Sequence, residues 1–127
     1  MQPGRIVHLR LAVTDLDRAA RFYAACFGWR VTAIASGSVA FEAPGGLEGS
    51  FWMGGEPSSA GAELYVEVVG IERVVRRAIE LGGARIARVG AGPGGARVAQ
   101  LLDSEGNRIC VWEAAGAVRV EVLAGEG

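Results

Sequence analysis

The chain has 127 residues, half of them hydrophobic, and a formal net charge of −1, which suffices for one domain with a core and is too short for two ordinary ones. The near-neutral balance leaves no footprint for nucleic acid or an anionic membrane surface, and no run approaches the roughly 18 apolar residues of a membrane helix. MQPGR at the start carries no apolar signal core and the two cysteines make no disulfide framework, so a reducing, cytoplasmic setting is expected. All thirteen Lys and Arg positions are Arg; genome base composition explains that bias without function, although Arg suits carboxylates and phosphates better than Lys.

Taken in chain order, Val7, Leu9, Leu11 and Val13 alternate with His8, Arg10 and Ala12, which predicts a strand whose apolar set shares one face. His8 and Arg10 then point the other way. Thr14 and Asp15 can cap a helix, Leu16, Ala19, Ala20, Tyr23 and Phe27 form its stripe, and Gly28 stops it. Arg30–Ala35 and Ser38–Ala43 read as strands around Ser36-Gly37, and Gly49–Met53 as a third beyond Pro44-Gly45-Gly46. Residues 54–62, GGEPSSAGA, read as a linker. Glu63–Val69 is a predicted strand and Ile71–Leu81 a helix with Ile71, Val74, Val75, Ala78 and Ile79 on its stripe. Arg85–Val89, Ala96–Leu102 and Arg108–Glu113 are predicted strands, and Ala117–Leu123 an added edge strand.

This order is βαβββ twice. Sliding the chain by 55 residues aligns His8–Ile34 with Glu63–Val89 without a gap and with six identities, Leu9/Leu64, Val13/Val68, Arg18/Arg73, Arg21/Arg76, Gly28/Gly83 and Arg30/Arg85. One domain over 1–127 is therefore expected, with a first unit at 5–53, a linker at 54–62, a second unit at 63–115 and an extra strand and tail at 116–127. Residues 90–95 satisfy G-x-G-x-x-G, but a strand rather than a helix follows and Pro93 removes a backbone donor, so a nucleotide site is rejected in favour of a hairpin loop.

The opening H-x-R-x-x-V-x-D-L-D-R-A-x-x-F-Y-x-x-x-F-G-W, the strand and helix E-L-Y-V-E-V-x-x-I-E ending E-L-G-G, and D-S-E-G-N-R-I-C-V-W-E near the end resemble the vicinal oxygen chelate superfamily. This is the group of glyoxalases, bleomycin-resistance proteins and extradiol dioxygenases, and the likeness runs from Arg5 to about Ala115. It implies an α+β fold in which two tandem βαβββ units form curved mixed sheets around a cup, with the helices outside, and it implies a homodimer.

The resemblance also implies four inward positions for a divalent metal. Carried over, they fall on His8, Phe51, Glu63 and Cys110, of which Phe51 cannot ligate. The remaining trio, His8, Glu63 and Cys110, is softer than the mixed N and O set of a glyoxalase-type octahedral ion and closer to a zinc set. Cys110 reads equally well as a buried apolar residue. Same-face neighbours supply a ligand-binding set: Arg10, Phe51, Met53, Tyr65, Glu67, Gln100, Arg108 and Trp112. A structural alternative makes Arg10 and Glu67 an ion pair, and Tyr65 and Trp112 core or interface aromatics.

Two functions follow. One is a metal-free binding protein of the bleomycin-resistance type, holding an aromatic or cationic compound between the aromatics and the acids Glu63 and Glu67. The other is a lyase or isomerase acting on a small oxygenated metabolite, with a divalent ion (Zn, Ni, Mn or Fe) held by His8 and with Glu63 as the catalytic proton-transfer residue. A dioxygenase triad needs a second His, and the chain has one.

Overall fold

A computed structural model of the chain describes residues 3, 6–35, 38–58 and 64–116. Glu63, residues 59–62 of the predicted linker and the predicted strand at 117–123 lie outside these residues. The elements are β1 (His8–Ala12), α1 (Leu16–Phe27), β2 (Arg30–Ala35), β3 (Ser38–Glu42), β4 (Glu48–Trp52), β5 (Tyr65–Glu67), α2 (Ile71–Glu80), β6 (Ala84–Arg85), β7 (Gly90–Ala91), β8 (Arg97–Leu102) and β9 (Arg108–Glu113), with one 3-10 turn at Pro93–Gly95. The fold is α+β, as expected.

The strands form two open mixed sheets, β1-β4-β3-β2 and β5-β9-β8-β6, with β7 also on β8. Each sheet pairs its first and last strands in parallel, β1 with β4 and β5 with β9. The predicted strand over 85–89 is broken. Arg85 pairs with Leu101 but Gly90 pairs with Val98, so the β6–β7 side carries two more residues than β8 opposite, and the chain bends at Ile86 and Ala87.

The helices cover one face of the sheets. From α1 come buried Ala19, Phe22 and Tyr23, and from α2 Ile71, Val75 and Ala78; Ile79, expected on the stripe, is 48% exposed. Beneath α1 lies a cluster of four rings. Tyr23 stacks on Trp29 at 4.5 Å and Trp29 on Phe41 at 4.6 Å, while Phe51 closes the group at 5.2 Å from Tyr23 and 4.9 Å from Phe41. Gly49 permits this packing: a Cβ there would fall 2.1 Å from the Leu9 carbonyl oxygen and 2.2 Å from Phe41 Cζ.

Buried carboxylates complete both helix starts. Asp15 caps α1 by accepting from Arg18 N at 2.9 Å. Glu105, from the turn between β8 and β9, also accepts from Thr14 N at 2.8 Å, Asp15 N at 2.9 Å and Thr14 Oγ1 at 2.9 Å. For α2, whose N-cap is Gly70 and offers no side chain, Glu113 accepts from Gly70 N at 2.6 Å and Ile71 N at 2.9 Å. The Glu105 turn is tied to the first unit at further points: Tyr23 Oη of α1 donates to Asp103 Oδ2 at 2.6 Å, and Asn107 Nδ2 to the Ala12 carbonyl of β1 at 2.7 Å.

Candidate functional site

Strand alternation decides which side chains face away from the helices. Leu9 and Leu11 join the core, so His8 and Arg10 stand on the opposite face, both exposed. The parallel register matches His8 with Glu48, Arg10 with Ser50 and Ala12 with Trp52. His8 Nε2 lies 3.2 Å from Ser50 Oγ, and the Arg10 guanidinium lies over the Trp52 ring, 3.7 Å from its centroid.

Phe51 is therefore on the other side. It is wholly buried in the aromatic cluster, and the placement of Phe51 on the site face is corrected by one residue, to Ser50 and Trp52. Met53, just past β4, is 54% exposed. The alternative in which Arg10 and Glu67 form an ion pair is not what the structure shows among the described residues: Arg10 lies on Trp52.

On the second sheet the register assembles most of the remaining candidates. Tyr65 and Gln100 flank Cys110, Glu67 flanks Trp112, and Arg108 precedes Cys110 on the same face. Tyr65 and Trp112 meet edge to face at 6.0 Å, with Tyr65 46% exposed. Arg108 Nη2 donates to Gln100 Oε1. Cys110 is wholly buried yet outside the core cluster, as a residue on that face beneath larger neighbours should be. Glu63 is not among the described residues.

Two concavities lie near this face or behind it. One of about 270 Å³ is lined by Leu9, Trp29, Leu47, Leu64, Tyr65 and Glu67 among others, and it takes in two of the candidates. Another, of about 430 Å³, runs between the helices past Cys26 and Arg77. Burial pushes the Cys26 thiol up to about 11, against the pull of Arg77, so it stays protonated and inert at neutral pH.

Comparison with known proteins agrees with this architecture. The sequence model of the glyoxalase-like domain family matches residues 7–112. The chain belongs to that family. A glyoxylase-like domain-containing protein of Didymella fabae is 31% identical to this glyoxalase-like chain over 114 residues, 82% of this chain and 89% of that one. Among solved structures, a glyoxalase/bleomycin resistance protein/dioxygenase family enzyme of Burkholderia phytofirmans PsJN superposes with a TM-score of 0.75 at 17% identity, covering 87% of this chain and 99% of that one. A glyoxalase-related enzyme of Fulvimarina pelagi gives 0.70 at 20% identity, covering 87% and 88%. At these identities the structures share the fold.

The donor chemistry of this glyoxalase-like domain does not fit the family's divalent ion. The 55-residue shift pairs Arg10 with Tyr65, and the strand registers then make Ser50 the counterpart of Cys110. The positions are thus His8 and Ser50 in one unit, Glu63 and Cys110 in the other. A neutral alcohol and a buried thiol stand where hard anionic oxygens are wanted. Among the described residues no three His, Cys, Asp or Glu side chains gather as a metal set, and no helix is long and apolar enough to cross a membrane.

Proposed function

We propose that this glyoxalase-like domain is a cytoplasmic small-molecule binding protein that works without a metal, taking an organic compound with a flat, aromatic body into the cup formed by the sheet faces turned away from the helices. The observation that carries this reading is the Tyr65–Trp112 pair, edge to face and part-exposed on a strand face that also bears Glu67, Gln100 and Arg108. An apolar wall with a few polar groups is what a small organic ligand requires. Exchange of an acid for Ser50 or Cys110 removes oxygen donors while leaving such a wall intact.

Thermal stabilisation by a panel of aromatic compounds tests the reading, because a ligand that binds only the folded state raises its melting temperature. Trp112→Leu and Tyr65→Ala are each expected to weaken the best compound about tenfold, the scale of one lost aromatic contact plus its buried area. Stabilisation by Ni²⁺, Zn²⁺, Mn²⁺ or Fe²⁺, with none by organic compounds, would instead favour the lyase reading.

The same proposal makes the domain a homodimer. β1 is an edge strand of its sheet, and Ile6 and Val7 just before it are 76% and 63% exposed, an apolar edge that a second copy would cover. A monomeric mass in light scattering at micromolar concentration would refute this.

A further inference from the structure

We propose that the cup selects organic carboxylates, and that Arg10, held over Trp52, is the group that takes the carboxylate. This rests on the cup reading above and narrows it.

The arginines of this chain differ in what holds them. Arg18 pairs with Glu105, Arg30 with Glu42, and Arg97 with Glu72 and Glu113, while Arg108 donates to the Gln100 amide. Arg10 lies on an indole instead. A ring attracts the cation through its face but accepts none of the in-plane N–H bonds. Among the described residues no acid forms an ion pair with Arg10, so the exposed guanidinium, already held over the ring, keeps donors for a ligand.

Trp52 is itself held. A Cβ on Gly54 would lie 1.7 Å from Trp52 Cζ3, and one on Gly55 2.9 Å from Cζ2, so the indole rests against bare backbone after β4. The glycines seat the indole, and the indole orients the guanidinium, which loses less rotamer freedom on binding than a free Arg would. A planar, fixed guanidinium matches the two oxygens of a carboxylate in one plane.

The neighbours are consistent with an anion. Ser50 stands opposite Arg10 in the ladder with its hydroxyl 3.2 Å from His8 Nε2, adding a hydroxyl beside the guanidinium. Among the described residues the acids on this sheet's face are Glu48, opposite His8, and Glu42 beyond it, paired with Arg30, whereas Arg10 leans the other way, over Trp52. Charge and geometry thus favour the carboxylate end of a ligand at Arg10. The sequence alone leaves an aromatic or a cationic compound open, and the stacked Arg10 argues against the cationic one.

Ligand-observed NMR titration of the full chain with 2-naphthoate, 2-naphthamide and 2-naphthylmethylamine, which share one ring system, separates charge from shape. The wild type is expected to bind the naphthoate at least about tenfold more tightly than the amide, the range for hydrogen bonds to charged groups. Arg10→Gln should abolish that ratio while leaving the melting temperature near wild type. Trp52→Leu, a change at a positioning residue, should reduce the ratio of naphthoate to amide affinity, which loss of stability alone would not do. Equal binding of all three compounds, lost in Trp112→Leu, would overturn the selectivity and keep the cup. Naphthoate preference surviving in Arg10→Gln would overturn the role of Arg10. Absence of binding by every compound would overturn both proposals together.

Discussion

Phe51→Ala is expected to destabilise the protein by about 3–5 kcal/mol, the usual cost of emptying a buried phenylalanine site. The ring is wholly buried and touches Tyr23 and Phe41, which are themselves stacked through Trp29, so two aromatic neighbours would face the void and neither can swing in without leaving Trp29. A domain of this size has only about 5–15 kcal/mol of stability, so a urea melt should shift far toward lower denaturant. Phe51→Leu, which keeps most of the volume, should cost less and give a measurable melt if the alanine variant fails to fold. A Phe51→Ala protein as stable as wild type but impaired in ligand binding would put this residue back on the site face.

That one-residue displacement shows what could be read from the sequence and what could not. Alternation in β1 is unambiguous because Val7, Leu9, Leu11 and Val13 interleave with His8 and Arg10, and the structure keeps both polar residues on the far side from α1. β4 offers Phe51 and Trp52 side by side, so hydrophobicity alone gives it no phase. Setting tryptophan on tryptophan in E-G-S-F-W and R-I-C-V-W would have resolved it. That alignment makes Trp52 the counterpart of Trp112 and Ser50 the counterpart of Cys110, as the two parallel registers do. The stacking of Arg10 on Trp52 had no such signal, because it depends on the indole lying back over Gly54 and Gly55 after the strand has ended. The break in the strand at 85–89 was equally invisible. It follows from a two-residue mismatch with β8, a tertiary property that local propensity does not carry. D-S-E-G-N was legible only as a resemblance; its work as a cap for a helix about 90 residues earlier needed coordinates.

Glu105→Gln is expected to cost about 3 kcal/mol at neutral pH and to remove most of the protein's acid sensitivity. Burial alone would raise this carboxyl, but hydrogen bonds from Arg18, from Thr14 and from the Asp15 backbone outweigh it and hold the group down to about 2, from an ordinary 4.5. A folded value below the unfolded one means that ionised Glu105 stabilises the fold above about pH 4.5 and that this contribution drains away as the pH falls toward 2. The fall from 4.5 to about 2, at about 1.4 kcal/mol for each pH unit, sets a ceiling of about 3.5 kcal/mol, and solvent screening at the rim of the site brings the expected cost to about 3. Glutamine keeps one acceptor but turns an amide NH₂ toward donors: with Oε1 left at Thr14 N and Asp15 N, the NH₂ meets Arg18 Nε, 2.6 Å from Oε2 in the native chain. At roughly 3–5 °C per kcal/mol for a chain of this length, the melting point should fall by about 10 °C. Asp103, beside it, behaves oppositely. Burial raises its carboxyl despite the bonds from Tyr23 and Asn107, so its contribution is present at low pH and fades as the pH rises through its folded value. In wild type the Glu105 slope masks this, but Glu105→Gln should expose it, and stability measured from pH 6 down to 3 should then hold level or rise where the wild type declines. An unchanged acid slope in the variant would show that the Glu105 cap, and with it the link between the second sheet and α1, contributes little to holding the two halves together.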